Sequence, residues 1–314
     1  MEDFAQFPDQ PVLVIGAAGV DIVGRLREEL HPASSTPAFI RTSFGGVSRN
    51  VAENLARLGQ PVTLLTVVGE DLTGEQLLSS AAEAGVDVKA VLRTTQHPTS
   101  TYLAVIDTGG QMQYGLDDMR AMSALTADYL REHEDLFYDA SLLFVDANLP
   151  KETMRTAMSL ARKARLPVCA DPTSRVLAER LRPYLPRLSL ISPNSAEAAV
   201  LCGHPFNSSS RREALEAANH IVAEGVGIVM ITMAEFGVCY ATADASGRIP
   251  AIRTSVIDPT GAGDALTATV IFALINNIPL DDAVRLGVAA ASLTLRHKGA
   301  VVPDLSLEKL YDQL

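Results

Sequence analysis

Two hydrophobic periods alternate along the chain. Short, continuous apolar runs at Pro11–Gly16, Pro61–Val68, Leu142–Val145, Pro167–Ala170, Leu188–Ile191 and Ile228–Thr232 read as strands buried on both faces. Between them lie segments with apolar residues at helical spacing: Ser48–Leu58, Thr73–Ala84, Lys151–Ala164, Ser195–Cys202 and Arg211–Glu224. Ser48 is the expected N-cap of the first helix and Gly59 its stop, while Gly85 ends the second. Strand-helix alternation of this kind predicts an α/β fold. Its sheet is expected to be doubly wound, mainly parallel and flanked by helices on both faces.

Two stretches break the rhythm. Ala38–Ser43 is a short β-like piece ahead of two glycines. Thr99–Leu116 reads as a hairpin that turns at Thr108-Gly109-Gly110. They are expected to form a small β-sheet lid over the mouth of the main sheet; antiparallel edge strands are the plainer alternative. The expected division is a large domain of residues 1–37, 46–96 and 119–314, with residues 38–45 and 97–118 as the lid. His31–Pro37 is the nearest approach to a linker.

Composition narrows the function. Acidic residues outnumber basic ones 37 to 26, a net charge of −11, which excludes a broad basic surface for nucleic acid or anionic membrane. No apolar run is long enough to suggest a membrane span. The opening Met-Glu-Asp-Phe lacks the positive start of a signal peptide. Cys169, Cys202 and Cys239 are widely spaced and read as buried thiols in a reducing, cytoplasmic setting.

The chemistry concentrates in Asp258-Pro-Thr260-Gly261-Ala262-Gly263-Asp264. This segment follows the strand-like Ile249–Ile257 and opens the helical run Ala265–Asn276. Glycines let backbone N–H groups converge, and the helix behind adds partial positive charge, so the turn can hold an anion without a basic side chain. A carboxylate at Asp264 beside such a hole suits a general base that takes the proton of an attacking hydroxyl. An ordinary capped glycine turn is the plainer alternative. Gly69 and Gly74 have P-loop spacing, but Glu75 and Gln76 follow where Lys and Ser/Thr are needed. Gly261-Ala-Gly-Asp-Ala-Leu266 lacks the third glycine of a dinucleotide fingerprint.

The glycine-rich turn resembles the second signature of the ribokinase-like (PfkB) family of carbohydrate and nucleoside kinases. Further motifs follow in the family's order. Gly16-Ala-Ala-Gly-Val-Asp21 resembles its first-strand motif, Gly45-Gly46-Val-Ser-Arg-Asn50 its Gly-Gly-x-x-x-Asn signature, and Asn194-Ser-Ala-Glu197 its N-x-x-E motif. Thr232–Gly237 resembles the T-x-G-x-x-G turn beside the nucleotide, and Lys298-Gly299-Ala300 the late loop against adenine. The resemblance implies that Asp21, Gly45, Gly46 and Asn50 hold a sugar, and that Asn194, Glu197, Thr232, Gly237, Lys298 and Gly299 serve ATP. It implies Mg²⁺ with Glu197 as an indirect ligand. Three positions depart from the pattern: Gly19 stands where many members have Asn, Val47 where ribokinases have Lys, and Ala234 at the middle glycine of the turn. Within the family the chain is most similar to the pseudouridine kinase branch, in Phe44–Gly59, Thr101–Asp107, Asp117–Met119 and Val145–Asn148.

The expectation is an ATP-dependent kinase of a sugar or nucleoside, with the 5′-hydroxyl of pseudouridine as the favoured acceptor. Asp118 and Asn148 are candidates to touch base or ribose, though both also suit turns and strand ends. Asn194 read alone is an N-cap, and Asp21 alone a turn aspartate. Asp258 and Thr260 are candidate oxygens for K⁺. Exposed lid strands offer a route to a homodimer. The competing readings are a kinase of ribose, fructose or adenosine class, a dinucleotide-dependent dehydrogenase, and a non-catalytic ligand sensor.

Overall fold

The computed structural model describes residue 4, residues 9–207 and residues 209–314. The apolar runs assemble into an eight-stranded sheet. From one edge its order is Ser246–Ile249, Val238–Ala241, Ile228–Thr232, Leu190–Ile191, Val168–Asp171, Leu142–Asp146, Val12–Ile15 and Val62–Leu65. From Ile228–Thr232 onward all pairings are parallel, and the two strands at the first edge are antiparallel. The antiparallel pair is not among the predicted strands.

Alternation of side chains along each buried strand divides the interior in two. Leu13, Ile15, Leu143, Val145 and Ile231 face one core, with Met154 and Met158 of the helix Lys151–Ala164. Val12, Val14, Leu142, Phe144 and Met230 face the other, with Val270 and Ile271 of the helix Ala262–Ile275. That helix is buried throughout Ala265–Ile275, which explains its lack of an amphipathic stripe: it lies under the sheet and against the helix Leu280–Leu295.

A separate four-stranded sheet runs in the order Ala38–Gly45, Gly19–Leu26, Thr101–Ile106 and Met112–Asp118. The hairpin and the piece before the glycines are therefore both in it, as expected. Gly19–Leu26 corrects the expected division, which left residues 1–37 in the large domain. Its backbone pairs with Ala38–Gly45 on one side and Thr101–Ile106 on the other. The chain thus crosses from the main sheet to the small one over Gly16-Ala-Ala, and returns over Gly45-Gly46.

Three local expectations also change. Pro61–Val68 is not one strand but two, Val62–Leu65 in the main sheet and Val67–Gly69 paired with Leu92–Thr94. Residues 250–256 have no regular structure where Ile249–Ile257 was expected to be a strand. Ser48 lies inside its helix, whose N-cap is Gly46. The Ser48 hydroxyl instead donates to Asp146 at 2.7 Å.

Candidate active site

The C-terminal ends of the parallel strands and the two crossovers to the small sheet converge on one cleft. Open α/β sheets bind ligands at this end. Gly46 makes the return crossover possible. Its φ of 93° is unfavourable for side-chain-bearing residues, and a Cβ there would lie 2.6 Å from the Ala17 carbonyl oxygen. Gly45 packs directly on Asp21, where a Cβ would meet the carboxylate at 2.2 Å. Asp146, fully buried at the end of Leu142–Asp146, fastens both crossovers: it accepts from Ala17 N–H at 2.8 Å and from Ser48 N–H at 3.2 Å. Asp146 belongs to the site's framework, and sequence reasoning gave it no role.

Asp264 stands in the first turn of the helix Ala262–Ile275 and accepts a 2.7 Å hydrogen bond from Asn50 Nδ2. This bond joins the two signature segments, 214 residues apart. The carboxyl is surrounded by protein yet keeps part of its surface open. Burial pushes its pKa up to about 7; the Asn50 bond opposes that rise, and the charges of Asp21, Asp146 and Glu197 add to it. Asp21 is raised to about 6, again by burial first; Arg49 pulls it down and Asp258 pushes it up. Asp171, at the end of its strand, is another member of this carboxyl group. Burial, then Asp264 and Glu197, hold it well above the usual range. An aspartate ending a buried apolar run was the signal for both Asp146 and Asp171.

Gly261 caps the helix with φ 77°, and a Cβ there would lie 2.0 Å from the Ala300 carbonyl oxygen. No side chain caps this terminus, so the N–H groups of Ala262, Gly263 and Asp264 remain available as anion donors. A Cβ at Gly263 would meet nothing within 4 Å; its backbone lies open. Ala262 and Gly263 border a cavity of about 840 Å³, also lined by Asn194, Thr232, Gly237, Leu266 and Ser292. Its far wall is the irregular stretch Ala251–Thr254 with Val256. Two hydroxyls in that lining, Thr254 Oγ1 and Ser292 Oγ, are buried without a hydrogen-bond partner. Free N–H donors at the turn and unpaired hydroxyls in a chamber with mainly apolar walls fit a nucleotide, with phosphates at the turn and base and ribose in the chamber.

Asn194 caps the helix Ser195–Cys202 and forms a complete capping box with Glu197, whose Oε2 accepts from Asn194 N–H at 2.8 Å. The expectation that Asn194 caps its helix is met. Among the described residues no three His, Cys, Asp or Glu side chains are grouped to hold a metal directly. Glu197 and Asp171, hard oxygen donors near enough to Asp264 to interact with its charge, fit Mg²⁺, which takes oxygen ligands and keeps much of its water.

Other candidates stand farther from this centre. Asp258 is bonded on both carboxylate oxygens: to Arg41 of the small sheet, to Thr260 N–H at 3.0 Å and to Gly299 N–H at 3.3 Å. Arg41 joins the small sheet to the glycine turn, a contact the sequence did not announce. Lys298 is exposed and, like Gly299, is not part of the cavity lining. Asp118 is held by Arg120 at 2.6 and 2.9 Å, which pulls its pKa down to about 2. Asn148 lies beyond the end of Leu142–Asp146, its N–H bonded to Asp146 at 2.9 Å. Ala234 takes a left-handed φ of 47°, so the departure from glycine falls where glycine has most reason to be.

Known proteins share this architecture. The family described as pfkB family carbohydrate kinase matches residues 9–306. The pseudouridine kinase of Escherichia coli K12 is 34% identical over 297 residues, covering 94% of either chain. The guanosine-inosine kinase of Exiguobacterium acetylicum is 27% identical over 94% of this chain and 97% of its own. A carbohydrate kinase from Agrobacterium tumefaciens superposes with a TM-score of 0.82 at 28% identity, covering 97% of this chain and 96% of that one. Arabidopsis thaliana ribokinase, complexed with ribose and ATP, gives a TM-score of 0.86 at 22% identity over 97% and 98%. A family match over nearly the whole length, together with 34% identity to one of its kinases, means that the chain belongs to the pfkB family of carbohydrate kinases.

Proposed function

We propose that this kinase transfers a phosphoryl group from ATP to the 5′-hydroxyl of pseudouridine. The observation that carries the chemistry is the Asn50–Asp264 hydrogen bond beside an uncapped helix N-terminus. The acceptor is favoured by the 34% identity to a pseudouridine kinase along nearly the whole chain. Asp21, Gly45 and Gly46 form the floor on which the ribose would lie, and Asp118 and Asn148 are the side chains proposed to reach base or ribose. The dehydrogenase alternative is dropped, since the family is one of kinases.

Asp264 takes the proton as the acceptor O–H bond breaks and the oxygen attacks. The N–H groups of Ala262, Gly263 and Asp264 stabilise negative charge on the phosphoryl oxygens. Asn194, Thr232 and Gly237 border the chamber proposed for the nucleoside end of ATP. Lys298 and Gly299 are proposed to close against it. Glu197 would orient water around Mg²⁺, which supplies charge neutralisation at the phosphates when bound. The small sheet is the proposed lid, with Arg41 and Asp258 as its contact to the glycine turn. Asp258 and Thr260 remain the proposed oxygens for K⁺, which would share Asp258 with Arg41; equal turnover in K⁺ and Na⁺ would remove that part.

The test is ADP release in the presence of pseudouridine, uridine, adenosine, ribose and fructose. The expected result is a kcat/KM for pseudouridine well above that for the others. A preference for adenosine or ribose would reassign the acceptor within the family. An Asp264→Asn variant that binds nucleoside but turns over at wild-type rate would defeat the mechanism.

A further inference from the structure

Arg49 precedes Asn50 and is 5% exposed, unusually deep for an arginine. Its Nη1 donates to Asn50 Oδ1 at 3.1 Å and to the Phe44 carbonyl oxygen at 3.3 Å. Its Nη2 pairs with Glu53, which also holds Arg57 at 2.6 Å. One guanidinium therefore ties the last residues of the small-sheet strand Ala38–Gly45, the start of the helix Val47–Arg57 and the amide of Asn50 into one unit.

The amide of Asn50 has two orientations of similar shape and opposite polarity. With Nδ2 toward Asp264 it donates; turned over, it would set Oδ1 against a carboxylate oxygen at the same 2.7 Å. The turned form would also set Nδ2 against the Arg49 guanidinium. Both neighbours enforce one orientation, and only Arg49 keeps enforcing it when Asp264 is protonated and no longer repels an oxygen. Asn50 then has one N–H on Asp264, its oxygen on Arg49, and a second N–H left for substrate. The incoming hydroxyl oxygen accepts from Asn50 and is free to give its own hydrogen to Asp264.

We propose that Arg49 is a positioning residue for phosphoryl transfer, fixing the Asn50 amide so that its N–H groups face Asp264 and the acceptor hydroxyl. This rests on the proposed role of Asp264 as base.

A double-mutant cycle on Arg49→Met and Asn50→Ala separates this from a purely structural role. With ATP and nucleoside saturating, Arg49→Met is expected to lower kcat about 10- to 100-fold, the scale of a small misplacement at the reacting atoms. The KM for ATP should hold within about twofold, because Arg49 is remote from the nucleotide chamber. The double variant should fall no lower than Asn50→Ala, since Arg49 acts through an amide already removed. Losses that multiply would overturn the proposal, as would full kcat in Arg49→Met. If Arg49→Met does not yield folded protein, Arg49→Lys takes its place in the cycle: it keeps a charge by Glu53 and loses the fork, and the same two outcomes decide. Asp264→Asn, assayed alongside, distinguishes the failures. Turnover there refutes the base; an inactive Asp264→Asn with multiplicative losses refutes only Arg49.

Discussion

Asp264 is raised to about 7, chiefly by burial, and a base poised there is partly protonated at neutral pH. In the free enzyme kcat/KM should therefore climb between about pH 6 and 8 and level off above. Neighbours set the position of that rise. Asp21→Asn removes a charge that lifts Asp264 and should move the rise to lower pH; Asn50→Ala removes a bond that lowers it and should move the rise up. Opposite shifts, read from full pH profiles, are the expected outcome. Stability carries the same signature with its sign fixed by linkage. A carboxyl whose folded pKa exceeds its unfolded value of 3.8 gives stability that is full below that value and is lost as pH rises through about 7. Asp264→Asn should thus be more stable than the parent at pH 8, by about 2 kcal/mol after allowing for the open part of the carboxyl. The gap should shrink steadily as pH falls toward 4, measured by urea unfolding at a series of pH values.

Elements explain what the chain made legible. Lys151–Ala164, Ser195–Cys202 and Ile228–Thr232 have the bounds their patterns predict, because each is an uninterrupted period between clear stops. Gly19–Leu26 was missed because Asp21, Gly24 and Arg25 interrupt its apolar residues, and because one of the two strands that pair with it, Thr101–Ile106, lies far along the chain. Asp146 and Arg49 were missed for a related reason: each acts by holding another segment, and a local pattern carries no such information. The glycine turn was readable because its requirement is local. Gly261→Ala should abolish most activity, since the new methyl meets Ala300 O and the backbone φ of 77° is unfavourable for alanine. Ala234 is the reverse case, an alanine at φ 47°. Ala234→Gly should stabilise the protein by about 1 kcal/mol, the cost of left-handed backbone less the entropy glycine loses on folding. Thermal midpoints with and without ATP check whether the gain is kept when the chamber is filled.

At the scale of the molecule, the proposed function has an acidic protein hold its anionic co-substrate by local means: an uncapped helix terminus and a chamber beside it. Surface charge is thereby freed for other ends, and the small sheet shows a contrasting surface. Phe39, Ile40, Met112, Tyr114 and Leu116 are 54–72% exposed on it, a density of large apolar side chains that soluble surfaces seldom leave uncovered. Tyr114 and Leu116 alternate along one strand and share a face with Ile40 across the sheet, whereas Met112, beyond a bulge, packs against Tyr102 on the other face. The occupant proposed is the same face of a second copy, since a two-fold pairing buries an apolar patch against itself without any further partner. A stable pairing needs roughly 1,200–2,000 Å² of total surface. Leu116→Glu with Tyr114→Glu sets like charges across that face. The parent is expected to sediment as a dimer at micromolar concentration and the double variant as a monomer, with KM for the nucleoside raised because a solitary lid closes less firmly. A parent that is monomeric throughout that range would refute the pairing. An unchanged nucleoside KM in a monomeric variant would show that the small sheet closes without its partner.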